Sequence, residues 1–154
     1  MTNQMLSPAE MDAWVSYQRM RVRLAERLNR ELANETGLSE ADFEILVALI
    51  EAPDETVRAL ALRCGLEWEK SRLSHQLRRM EQRGLVRRET CVEDNRSTVI
   101  RVTDAGRSRA EDAKRLHEQA VRSFVCDALT PDQLHALGCI AQAVLARLDE
   151  PHHS

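Results

Sequence analysis

Between Leu66 and Val86 the chain reads LEWEKSRLSHQLRRMEQRGLV, and at 100° per residue its side chains separate into two faces. Leu66, Leu73, Leu77 and Met80 fall on one apolar stripe, the spacing of an amphipathic helix. Ser71, His75, Arg78 and Gln82 lie opposite, flanked by Arg72, Ser74 and Arg79. Arginine can bridge two acceptors on guanine, while serine, histidine and glutamine reach base edges or phosphates. The chemistry these residues suit is non-covalent recognition in a DNA major groove; the plainer alternative is a solvated helix face. Catalysis finds no such set of parts. The chain has no nucleophile–base pairing, no H-E-x-x-H, no Gly-rich phosphate loop and no suggestively spaced carboxylates, so an enzyme is not expected.

Cys64, Cys91, Cys126 and Cys139 form no C-x-x-C pair and no metal-like cluster with histidine, so neither a metal nor a cofactor is expected. They are read as independent reduced thiols, two or three of them buried as small hydrophobes, with Cys91 the most exposed. His152 and His153 belong to a frayed tail.

The net charge of −3 hides an asymmetry. Residues 57–88 hold nine Lys/Arg against three acidic residues, a balance of +6, which leaves −9 for the remainder. A basic surface carried by an acidic body suits phosphate binding with little stray adhesion. With 154 residues, 43% hydrophobic and 31% charged, the chain is long enough for one well-cored domain. Its N-terminus lacks an apolar signal core and no run is long enough to span a membrane, so a cytoplasmic protein is expected.

The elements that must position the basic helix follow from caps and periodicity. Ser7-Pro8 opens a helix over 8–35 that Gly37 stops, with Trp14, Tyr17, Leu24, Leu28 and Leu32 along one face. That stripe needs a partner, for which a second copy of the chain would serve; Trp14 and Tyr17 read as core rather than as a ligand pocket. Ser39 to Asp42 starts a second helix with a capping-box pattern, bearing Phe43, Ile45, Leu46, Leu49 and Ile50 and ending before Pro53. Thr56 is read as the cap of a short helix over 57–64 that turns Leu60 and Ala61 inward, and Gly65 as the turn into the basic helix. After Gly84 the period changes to that of strands at 85–89 and 97–102, joined by a turn-rich tip at 92–96, the pattern of a wing. Arg96 at that tip is the residue type that enters a narrow minor groove, and Asp94 can hold it by a bidentate pair. Thr103-Asp104 starts a helix running to about Ala128. Thr130-Pro131 caps a last one with a broad apolar face from Leu134 to Leu148, expected to pack on the first helix and across a twofold axis.

In this order the elements resemble the multiple-antibiotic-resistance regulator (MarR) family of winged-helix transcription factors. The likeness is carried by GLSEADFEILVAL, LALRCGLEWEKSRLSHQLRRMEQRGLVRR, the wing EDNRSTVIRVTDAG and the closing LTPDQLHAL. It implies a mainly α (α+β) fold: a single domain over 1–154, with a winged helix-turn-helix at 38–106 and dimerisation helices at 8–36 and 107–150. It implies a homodimer that binds double-stranded DNA at a pseudo-palindromic operator, as a repressor released by a small aromatic or phenolic effector. By position, Lys70 would sit where the recognition helix begins. Ser71, Arg72, Ser74, His75, Arg78 and Arg79 would face the groove or its phosphates, and Asp94 and Arg96 would form the wing pair. Glu69 is expected to pair with Arg72 at i,i+3. The alternatives are a thiol-based redox sensor and a winged-helix module that binds protein.

Overall fold

The computed structural model describes residues 4–90 and 97–151, in two compact units divided between His117 and Glu118. In the first unit, Ser7 caps helix α1 (Pro8–Thr36) by a reciprocal box: its hydroxyl accepts from the Glu10 N–H at 3.2 Å, and Glu10 Oε2 accepts from the Ser7 N–H at 2.7 Å. Gly37, at φ 71°, ends the helix in the left-handed region. Ser39 and Asp42 repeat the box at helix α2 (Glu40–Ile50), whose Ile45, Leu46 and Leu49 are wholly enclosed. A 3₁₀ turn (Pro53–Glu55) leads out of it.

The chain then departs from the sequence-based expectation. Thr56 does not cap a helix; Thr56–Arg58 is a strand, β1, and helix α3 spans Ala59–Leu66. The outer edge of strand β3 (Thr98–Val102) supplies the reason. Its backbone groups need partners, and β1 provides them antiparallel, with Val57 opposite Ile100. Strand β2 (Val86–Thr90) lies on the other edge, from Val86 opposite Val102 to Thr90 opposite Thr98, giving the order β1-β3-β2. Because α3 begins two residues later than expected, its inward face is Ala59, Leu62 and Leu66. Leu62 is buried, whereas Leu60 is 64% exposed and Ala61 exposed, contrary to the sequence reading. Gly65 also does not make the turn. It lies inside α3, and Glu67 takes the left-handed position at φ 57°. Helix α4 (Lys70–Gln82) follows.

Leu73, Leu77 and Met80 of α4 meet Leu46, Leu49, Leu85, Val86 and Ile100 in one core, closed by Leu32 of α1 and by Ala110 and Ala113 of helix α5 (Asp104–Val121). The T-D-A-G run explains how α5 joins the wing. Thr103 Oγ1 donates to the Gly84 carbonyl at 2.6 Å and accepts from the Gly106 N–H at 3.0 Å. A Cβ on Gly106 would lie 2.0 Å from the Leu85 carbonyl oxygen, so only glycine permits that approach.

In the second unit the winding widens into a π turn (Arg122–Cys126), and a third box, Thr130 with Gln133, starts helix α6 (Pro131–Leu148). No residue of α6 is buried, and Ile140 and Leu148 are 62% and 69% exposed. In the first unit Trp14 and Tyr17 are exposed rather than core, their rings 5.7 Å apart. The cysteines also differ from expectation: Cys64 and Cys139 are exposed and Cys126 half-buried, so none of these three is a core hydrophobe. Cys64 lies on the outer face of α3, and Cys139 on a helix that buries nothing. Among the described residues no helix is long and apolar enough to cross a membrane.

Candidate nucleic-acid interface

Helix α4 divides as its sequence predicts from Leu73 onward, whereas Leu66, read on the same stripe, belongs to α3 because α4 begins only at Lys70. Leu73, Leu77 and Met80 are buried, while Lys70, Ser71, Arg72, His75, Arg78, Arg79 and Gln82 are exposed and Ser74 half-buried. Among the described residues no carboxylate forms an ion pair with Lys70, Arg72, Arg78 or Arg79. Their charge is therefore available to an external anion, held on a helix that cannot rotate without exposing its leucines. Asp94 and Arg96, the expected wing pair, lie outside the described residues, as do Cys91, His152 and His153.

Two of these side chains are steered by neighbours. The Arg72 guanidinium carbon sits 3.9 Å from the centroid of the Trp68 ring, a cation–π stack on a largely buried indole. This replaces the expected Glu69–Arg72 pair: Trp68, four residues before Arg72 and so about one helical turn away, offers a broad face, while Glu69 is the N-cap of α4. Glu44 of α2 stands near enough to feel Arg72. Burial and the neighbouring Glu40 raise its carboxyl above the ordinary value, and Arg72 opposes them. Arg79 donates to Gln76 Oε1 at 2.7 Å, and Gln76 Nε2 donates to Asp42 Oδ1 at 2.5 Å. Asp42 Oδ2 also accepts from Arg83 Nη1 at 2.7 Å, and Arg83 Nη2 reaches the Gly37 carbonyl at 2.9 Å. Arg83 is thus drawn away from the groove face to tie α4 to the α1–α2 junction.

Sequence reasoning passed over Trp68, Gln76 and Asp42. The signal for Gln76 was present: at 73, 76, 77 and 80 it falls within the i, i+3, i+4, i+7 stripe, so a polar side chain there must be buried. A cleft of about 320 Å³ adjoins the helix, lined by buried Leu73, Leu77 and Ile100 and by the more exposed Leu60, Arg63, Lys70, Ser74 and Arg88.

A buried-backed basic helix entered from a short helix, followed by a β-hairpin whose strands share a sheet with an upstream strand, defines a winged helix-turn-helix. A model described as MarR family matches residues 36–97. Over nearly its whole length the chain is similar to AbsC, a MarR family transcriptional regulator from Streptomyces coelicolor. Identity is 31%, coverage 97% of this chain and 100% of that one, and the TM-score 0.88. It is as similar to Sco3205, a MarR family transcriptional regulator from the same organism solved in complex with DNA, at 33% identity, 98% and 94% coverage and a TM-score of 0.87. The HTH-type transcriptional regulator YdgJ of Bacillus subtilis (strain 168) is 29% identical over 92 residues, 60% of this chain and 55% of its own length. The chain belongs to the MarR family of transcriptional regulators.

Proposed function

We propose that the protein binds double-stranded DNA in a sequence-specific manner through α4, as a homodimer on a pseudo-palindromic operator. It acts there as a repressor released by a small-molecule effector. The observation that carries this reading is the row of exposed cations on α4, none in an ion pair among the described residues, backed by a buried apolar face. Lys70, Arg72, Arg78 and Arg79 supply phosphate and base contacts, and Ser71, Ser74 and His75 supply hydrogen bonds at base edges. Asp94 and Arg96 complete the contact from the wing.

Pairing is supported by the apolar side chains that α1 and α6 each leave exposed, Trp14, Val15 and Val22 on the first, Ile140, Val144 and Leu148 on the second. Two copies would cover them and set two α4 helices against successive major grooves, roughly 34 Å apart. The effector reading is supported by the cleft beside α4, whose apolar and cationic lining suits a flat organic anion.

The test is binding to a duplex that the protein itself enriches from a random-sequence pool. Log affinity is expected to fall linearly with log salt, by about 0.9 per phosphate neutralised. A flat line would instead favour a winged-helix module that binds protein. One observation favours a second mode of release: Cys139 Sγ lies 3.5 Å from His135 Nε2, both exposed on α6. Under that thiol-based reading, peroxide would release the enriched duplex from the wild type and not from Cys139→Ser.

A further inference from the structure

Asp42 and Gln76 are the buried polar side chains among the described residues, and they touch each other. The Gln76 amide, set between Asp42 and Arg79, has only one workable orientation. An ionised carboxylate can only accept hydrogen bonds and a guanidinium can only donate them. Nε2 must therefore face Asp42, which leaves Oε1 aimed at Arg79, as observed at 2.5 and 2.7 Å. Asp42 cannot turn away, because its second oxygen holds Arg83 at 2.7 Å and the Ser39 N–H at 2.9 Å. The chain acid–amide–guanidinium is anchored at its buried end and free at its exposed end.

We infer that Gln76 is a positioning residue for DNA binding, a buried relay that fixes the direction of the Arg79 guanidinium toward the phosphate or base it contacts. The inference rests on the DNA-binding reading of α4. The choice of glutamine is informative. A carboxylate at this position would have no donor for Asp42 and would neutralise Arg79, whereas an amide donates to Asp42, orients the guanidinium through its oxygen and leaves the charge to the DNA. Arginine carries high rotamer entropy, so fixing its direction before binding removes part of the ordering cost.

The test uses the full-length protein and a duplex that the wild type enriches from a random-sequence pool. Gln76→Met fills the same space without either hydrogen bond. It is expected to weaken binding on the order of tenfold, the size of a lost hydrogen bond to a charged group. In an Arg79→Ala background the same change is expected to add little, because the residue being positioned is gone. Equal losses in both backgrounds would make Gln76 a structural residue and overturn the assignment. Gln76→Lys gives a second, opposed reading. Its ammonium keeps a donor for Asp42 but offers Arg79 no acceptor, so binding is expected to weaken despite the added positive charge. Tighter binding would mean that net charge and not direction matters, which also overturns the proposal. Far-UV circular dichroism and thermal melting accompany both variants, and loss of fold in both would mark Gln76 as a stability residue instead. Should the wild type enrich no duplex at all, the DNA-binding reading itself falls first.

Discussion

Arg72 and Arg79 stand seven residues apart on one flank of α4, yet each is held by a different device: an indole face for the first, a buried amide for the second. Glu44 adds a third influence, since its partly desolvated carboxylate lies within reach of Arg72 and, under the proposed function, would compete with an incoming phosphate. Its raised pKa means that the ionised form costs stability above the folded value and costs nothing once pH drops below the ordinary 4.5. Glu44→Gln is therefore expected to raise the melting temperature at neutral pH, with the advantage vanishing below that value. It is also expected to tighten binding to the enriched duplex, and unchanged affinity would show that Glu44 does not reach the Arg72 contact. Much of the exposed face of α4 was legible in the sequence, because a helix that buries Leu73, Leu77 and Met80 leaves few choices for the remaining directions. What periodicity could not give was the second partner of each side chain. Trp68 and Asp42 are brought to Arg72 and Gln76 by the turn before α4 and by the packing of α2, and no spacing within α4 encodes either.

Among the elements, the hairpin and α5 meet at a junction with almost no slack. Gly106 lies so close to the Leu85 carbonyl that a methyl group must displace the main chain. Gly106→Ala is expected to destabilise the protein by about 1–3 kcal/mol, the usual cost of overpacking, as a lowered denaturation midpoint with an unchanged slope. An unaltered midpoint would mean the junction can open without loss. A second tie joins the 3₁₀ turn to α5. Arg107 Nε donates to both oxygens of Glu55 at 2.8 Å, and Arg107 also pairs with Asp104. The guanidinium holds the Glu55 carboxyl below its ordinary value of 4.5, and Glu55 with Asp104 raises Arg107 further. A depressed carboxylate contributes stability that is present above the unfolded value and lost as pH falls through the folded one. Glu55→Gln is expected to melt earlier than wild type at neutral pH and together with it well below 4.5; a gap that persists in acid would assign the effect to packing. Helix boundaries were largely legible, since Ser7-Pro8, Ser39, Gly37, Gly84 and Thr130-Pro131 each mark an end by a local cap. Strand β1 was not, because three residues become a strand only where β3, some forty residues later, offers an unpaired edge. Nor was the left-handed Glu67: Leu66 is needed to finish the inward face of α3, which pushes the turn past the glycine that would have made it cheaply.

At the scale of the molecule, charge is unevenly distributed along the chain and apolar side chains are left uncovered. A balance of +6 sits in residues 57–88 and −9 in the rest, while uncovered hydrophobic side chains collect on α1 and α6. Under the proposed function the first feature meets the duplex and the second meets another copy, so that occupancy by one head commits the other to a site one helical turn away. That α1 and α6 are amphipathic was legible from the spacing of their apolar residues. The exposure of Trp14, Val15 and Val22 on α1 and of the α6 face was not, because an amphipathic pattern states only that a face needs cover and leaves open where the cover comes from. Hydroxyl-radical footprinting of the enriched duplex tests this arrangement most directly. Two protected tracts centred roughly 34 Å apart along the duplex are expected, both lost together in Arg78→Ala. A single tract, or protection that survives that substitution unchanged, would contradict it.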